Sequence, residues 1–152
     1  MSPLLHLALR LWHFYDRHLA TGQTPQSIGA WGERWAARYL TLCGCKILER
    51  NARPCRHGEL DLVVKRGKVY LFIEVKTRKN EAFGPPITAI HLQKRRRLRK
   101  CATYWLSHHH LLNDRTRYRF DAVQVVGTPG GPLPDIRWTK GIDMSQTRAP
   151  EL

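Results

Sequence analysis

Three observations predict an α/β fold. Residues 58–78, GELDLVVKRGKVYLFIEVKTR, alternate apolar and polar over two runs joined by a tight turn, the mark of a strand pair. Two stretches, 28–43 and 87 to about 106, carry apolar residues at helical spacing. Residues 117–126, RYRFDAVQVV, read as a further strand whose nearly continuous apolar end suits a sheet interior. The 152 residues suffice for one domain with a proper core and are too few for two of ordinary size.

The chain divides into an N-terminal extension (1–27), a central domain (28–126) and a Gly/Pro-rich tail (127–152). In the extension an apolar run from Leu4 to Leu11, continued by Trp12, Phe14 and Tyr15, is broken by His6, Arg10, His13, Asp16 and Arg17. It is too short and too interrupted to span a bilayer and lacks the pattern of a cleaved leader. A short amphipathic helix after Pro3, packed on the domain or on a partner, is expected, with 21–26 as a linker. In 28–43, Ala36, Leu40 and Cys43 form an inward stripe that Glu33 borders. A carboxylate facing a core is costly unless paired or metal-bound, although a first-turn Glu also favours the helix dipole. Gly44 should end this helix, 45–50 (CKILER) form a short strand, and 51–57 a polar loop.

The 58–78 hairpin follows. With a turn at Arg66-Gly67, Val63 pairs with Tyr70, Asp61 with Phe72 and Glu59 with Glu74. Opposed residues of an antiparallel pair share a side, so Glu59, Asp61, Glu74 and Lys76 fall on one face, and Leu60, Leu62, Val64, Val69, Leu71, Ile73 and Val75 on the other. Asp61 and Glu74 become diagonal neighbours about 7 to 8 Å apart at the backbone. A slip of the pairing by one residue would separate them onto opposite sides. Like charges so placed call for something positive between them, and a divalent cation or Lys76 would serve.

Beyond the hairpin, 79–86 reads as a loop, and Pro86 suits a helix start. From Ile87 the residues Ile87, Ile90, Leu98, Cys101, Ala102 and Trp105 project onto one stripe, with Lys94 at its centre. Arg95, Arg96, Arg99 and Lys100 project outward as a phosphate-binding stripe or a solvated face. His108 to His110 suit a solvated loop, because three consecutive residues cannot all face one ion. Asp121 should be structural, pairing with a nearby base. Residues 135–138 could add an edge strand, and the last dozen residues have the composition of a mobile tail.

Lys plus Arg number 26 against 12 Asp plus Glu, a formal charge of +14. This favours a polyanionic partner, nucleic acid over a membrane surface. Three of the 12 acids, Glu59, Asp61 and Glu74, fall on the one predicted hairpin face, as a metal site would need. Cys43, Cys45, Cys55 and Cys101 match no usual zinc spacing and read as free thiols of a reducing, cytoplasmic compartment, with structural zinc the lesser alternative.

Asp61, followed after twelve residues by Glu74-Val75-Lys76, resembles the signature of the PD-(D/E)xK nuclease superfamily. A closer resemblance is to the YraN-like family of uncharacterised bacterial proteins, similar in turn to archaeal Holliday junction resolvases. It rests on Gly32-Glu33 with Ala36 and Leu40, Asn51, Gly58-Glu59-Leu60-Asp61-Leu62, Phe72-Ile73-Glu74-Val75-Lys76-Thr77-Arg78, Lys94 with Leu98 and Ala102, and Arg119-Phe120-Asp121. These cover 29–126, about two-thirds of the chain, and neither the extension nor the tail.

The resemblance implies a restriction-endonuclease-like αβββαβ core, a central mixed sheet flanked by helices. It further implies a magnesium- or manganese-dependent endonuclease acting on DNA, branched DNA among the candidates. Asp61 and Glu74 would hold the ion, with the Val75 carbonyl, and Glu33 and Glu59 would be further carboxylates. Lys76 would orient or deprotonate the attacking water, and Lys94 would contact the scissile phosphate or brace the acids. Arg78 would join Lys94, Arg95, Arg96, Arg99 and Lys100 on the DNA. A homodimer follows by analogy with resolvases, which cut two strands symmetrically. The alternative is a catalytically inactive nucleic-acid-binding protein that keeps the fold. No integral membrane association is expected, and a peripheral one through the N-terminus ranks last.

Overall fold

The computed structural model describes residues 3–18, 25–56, 58–80 and 91–144. In chain order these form α1 (Pro3–His18), α2 (Pro25–Leu42), β1 (Lys46–Cys55), β2 (Gly58–Arg66), β3 (Val69–Arg78), α3 (Leu92–His108), β4 (Arg117–Val126) and β5 (Asp135–Thr139). The strands make one mixed sheet in the order β1-β2-β3-β4-β5. Only the β3–β4 pair is parallel. That pair needs a crossover, and α3 supplies it. The α/β architecture, a mixed sheet with helices on both faces, is the one the sequence predicts.

Several local expectations change. Pro25 and Gln26, expected in a linker, belong to the first turn of α2, where proline loses no hydrogen bond that a helix start would make. Residues 21–24 lie outside the described residues, as do 81–86 of the expected loop, the helix start near Pro86 and Ile87, and the tail beyond Met144. Gly44 does end α2: it adopts φ 82°, while Cys45 N–H donates to the Leu40 carbonyl and Gly44 N–H to that of Thr41. β1 runs on to Cys55, so most of the expected 51–57 loop is strand. Its pairing with β2 is irregular between Ile47 and Glu49 and again between Ala52 and Cys55, and Asn51 takes φ 51°, a conformation asparagine tolerates. Pro54 is accommodated because β1 is an edge strand. His108 is the last residue of α3, and all three histidines are exposed.

The hairpin turn is Gly67-Lys68 rather than Arg66-Gly67, since Arg66 pairs with Val69. Gly67, at φ 57°, takes the first central position, which in such two-residue turns demands glycine. Sliding the turn by one residue moves each cross-strand partner by two, so the side chains keep their sides. Val63 now opposes Phe72, and Leu62 opposes Ile73.

Both faces of the sheet are covered, whereas the alternation of the 58–78 hairpin taken alone suggested one apolar face and one acidic. On one side Leu62, Val64, Leu71, Ile73, Val123 and Val125 pack with Trp31, Trp35, Ala36 and Leu40 of α2 and with Leu9 of α1. On the other, Ala52, Leu60, Val63 and Phe72 pack with Leu98, Cys101, Ala102, Trp105 and Leu106 of α3. Leu60 and Leu62 serve opposite clusters, so β2 changes its facing between them, at Asp61. Asp121 is structural as expected. Fully buried, it accepts two hydrogen bonds from Arg119, one from Trp138 Nε1 and one from Gly141 N–H, which tie β5 and the segment after it to β4.

Candidate active site

The irregularity in β2 is where the carboxylates meet. Leu62–Ile73 is the last paired position, and the next residues are Asp61 and Glu74. Here Val75 N–H donates to Asp61 Oδ2 at 2.7 Å. Glu74 is buried, and Lys94 Nζ reaches down from α3 to its Oε1. A side chain placed at the centre of the α3 stripe by helical spacing thus points where that spacing put it. Burial, followed by the charge of Glu74, pushes the Asp61 carboxyl from 3.8 up to about 7; the Val75 N–H and Lys94 pull it down, and Glu33 adds to the rise.

Glu33 comes from α2, in the other helical layer, and its charge adds to the rise of the Asp61 carboxyl, while α2 and β3 converge at Gly32 and Thr77. Gly32 makes the convergence possible. A Cβ there would overlap Thr77 Oγ1 and come within 2.9 Å of Thr77 Cβ, so only glycine lets α2 lie this close to β3. Lys76, two residues after Glu74, is half-buried and pairs with Gln124 of β4. Paired residues share a side, so Gln124 stands beside Lys76. Sequence reasoning missed it; the signal was a polar residue inside the apolar run AVQVV.

Glu59 is placed differently. At the start of β2, it is held by Arg53 Nε of the edge strand β1 at 2.8 Å. On α3, Arg96, Arg99 and Lys100 are exposed and, with Thr103 and Tyr104, line a recess of about 380 Å³. Arg99 also donates to the Met144 carbonyl at 3.1 Å. Arg95 is half-buried rather than part of the outward set, and Arg78 is half-buried at the end of β3. Tyr104, half-exposed among these cations, was not singled out from sequence, although it lies four residues after Lys100 and eight after Arg96. The four cysteines are free thiols; Cys55 and Cys101 lie with sulfurs 3.5 Å apart.

Among the described residues no three His, Cys, Asp or Glu side chains stand together as a ready-made metal cage. The candidate donors are the carboxylates Asp61 and Glu74, and the charge of Glu74 helps to drive Asp61 upward. Two hard oxygen donors suit magnesium, which keeps several waters of its own and rarely occupies an all-protein cage. The residues present therefore fit such an ion.

The model of the uncharacterised protein family UPF0102 matches residues 32–125. A UPF0102 protein of Nocardia farcinica is 44% identical over 112 residues, 74% of this chain and 86% of that protein. One from Beutenbergia cavernae is 45% identical over 109 residues, 72% of this chain and 90% of the relative. One from Geobacter metallireducens is 41% identical over 111 residues, 73% and 87% of the two chains. The matched segment holds Glu33, Asp61, Glu74, Lys76 and Lys94 and excludes α1. The chain belongs to the UPF0102 family, the YraN family that its hairpin and helix motifs resemble.

Proposed function

We propose that the protein is a metal-dependent endonuclease acting on DNA in a reducing, cytoplasmic setting. The observation that supports this reading best is the meeting of the carboxylates Asp61 and Glu74 at the irregular end of the hairpin, where burial and its neighbour's charge push Asp61 up to about 7. Asp61 and Glu74 would hold a magnesium or manganese ion, which when bound supplies Lewis acidity toward phosphate and water of lowered pKa. Lys76, on the Glu74 side of β3, would orient the attacking water and offset charge as it grows on the phosphate oxygens. Lys94 would release Glu74 to the ion and turn to the phosphate. Glu33 would act from α2 as an outer carboxylate, and Gln124 would steady Lys76. Glu59, engaged by Arg53, has no part in this arrangement. Arg96, Arg99 and Lys100 would receive the flanking phosphodiesters.

The test compares wild type with Asp61→Ala and Lys76→Ala on junction, flap, duplex and single-stranded DNA, with magnesium, with manganese and with chelator. Cleavage that needs metal and falls at least a hundredfold in both variants is expected. Binding without cleavage under every condition would overturn it. That outcome would leave the second reading, a nucleic-acid-binding protein retaining the nuclease fold. The Lys94–Glu74 ion pair favours this alternative, because a lysine already fills the role of the cation.

A further inference from the structure

Helix α1 carries two apolar stripes, and among the described residues one of them packs into the domain core. Leu9 is buried in the cluster shared with α2, and Leu5 and Trp12 pack against the same cluster. Leu4, Leu7, Leu11 and Phe14 form a second stripe and are 78%, 56%, 57% and 64% exposed. Four large apolar side chains in one row exceed what scattered surface residues amount to and mark a contact surface.

What flanks the stripe decides its partner. Along one side His6, Arg10 and His13 border Phe14 in a recess of about 420 Å³. Along the other, next to Leu4, a recess of about 510 Å³ holds Leu42, Trp138, Arg66 and Lys140. Both cations there lie over the Trp138 ring, at 5.4 and 4.7 Å from its centre. Among the described residues neither recess has a carboxylate in its lining. An apolar ridge between two cationic hollows, one with a tryptophan at its rim, is the pattern of a helix lying in the plane of an anionic bilayer surface, where leucines enter the acyl region and basic groups meet headgroup phosphates.

A second copy of the chain fits less well. The 4, 7, 11, 14 spacing is that of a coiled-coil seam, but only two heptads are available, and pairing would set cationic flanks against each other on molecules of charge +14. Nucleic acid would satisfy the cations and leave the leucines in water. Among the described residues no helix is long and apolar enough to cross a membrane, so attachment would be at the surface.

We propose that α1 docks the protein onto anionic lipid surfaces, with Leu4, Leu7, Leu11 and Phe14 inserted and Arg10, Arg66 and Lys140 at the phosphates. The proposal is independent of the nuclease reading, since α1 lies outside the family match and on the face of the sheet opposite α3.

The test is co-sedimentation of the full chain with vesicles of phosphatidylcholine alone or with about one-third phosphatidylglycerol. Binding to the anionic vesicles only is expected. Leu7→Gln with Leu11→Gln, which leaves the charge unchanged and touches only exposed positions, should weaken it at least tenfold while circular dichroism and thermal midpoint stay the same. Arg10→Glu should weaken it independently. Failure to bind the anionic vesicles, or binding that the double glutamine variant retains, would overturn the proposal. So would a dimer by sedimentation equilibrium that the same variant abolishes while vesicles are ignored, which would assign the stripe to a second copy.

Discussion

Asp61 is partly buried beside another carboxylate, and this has a consequence for stability that does not depend on any activity. Its carboxyl is raised from 3.8 to about 7, so the folded protein binds this proton more tightly than the unfolded chain. Between those values stability falls as pH rises: the contribution is complete below about 3.8 and is lost by the time the pH passes about 7. Asp61→Asn removes that dependence. Urea midpoints for the two proteins, without divalent metal, should agree most closely near pH 4 and diverge toward pH 8, with the asparagine variant the more stable. Parallel profiles would mean that Asp61 ionises at no cost. The same residue shows where sequence is legible. Its proximity to Glu74 followed from strand parity, and the Lys94 contact from helical spacing. The Arg53–Glu59 pair and the Trp105 Nε1 bond to Glu49, at 2.6 Å, did not, because each joins residues whose approach only the folded sheet determines.

At the scale of elements, period and punctuation carried most of the information. Gly44 and the apolar stripe of α2, the alternation of β2 and β3, and the buried end of β4 were all readable because each obeys one local rule. The misjudged places are those where two rules compete. The hairpin turn slid to Gly67-Lys68 because the glycine had to occupy the position with positive φ. β1 continued through a proline-containing polar stretch because an edge strand leaves one side of its backbone unpaired. The change of facing at Asp61 broke the single-face expectation for Leu60, and no periodic pattern can announce its own interruption. On α3 the same reasoning yields a quantitative expectation. Arg96, Arg99 and Lys100 are exposed on one side of the helix, whereas Arg95 is not. Replacing the three by glutamine should lower the slope of log affinity against log salt for duplex DNA by up to about 2.7, roughly 0.9 per lost phosphate contact. A filter-binding or fluorescence titration at several salt concentrations measures it, and an unchanged slope would remove this helix from the interface.

For the molecule as a whole, the arrangement of layers matters more than any one group. α1 and α2 lie on one face of the sheet and α3 on the other, so the apolar ridge of α1 and the cationic side of α3 belong to opposite layers. A single protein could then touch two polyanionic surfaces at once, a bilayer through α1 and DNA through α3, with the sheet between them. The +14 charge would otherwise make the two ligands rivals for one diffuse cationic surface. Pelleting phosphatidylglycerol-containing vesicles with fluorescent duplex DNA, with and without protein, separates these cases. Separate surfaces predict that DNA enters the pellet only when protein is present. The double glutamine variant at Leu7 and Leu11 should leave the DNA in the supernatant while still binding it. The triple variant on α3 should pellet without DNA. If added DNA instead strips the wild-type protein from the vesicles in proportion to its concentration, one surface serves both ligands, and the two faces of the sheet do not have separate roles.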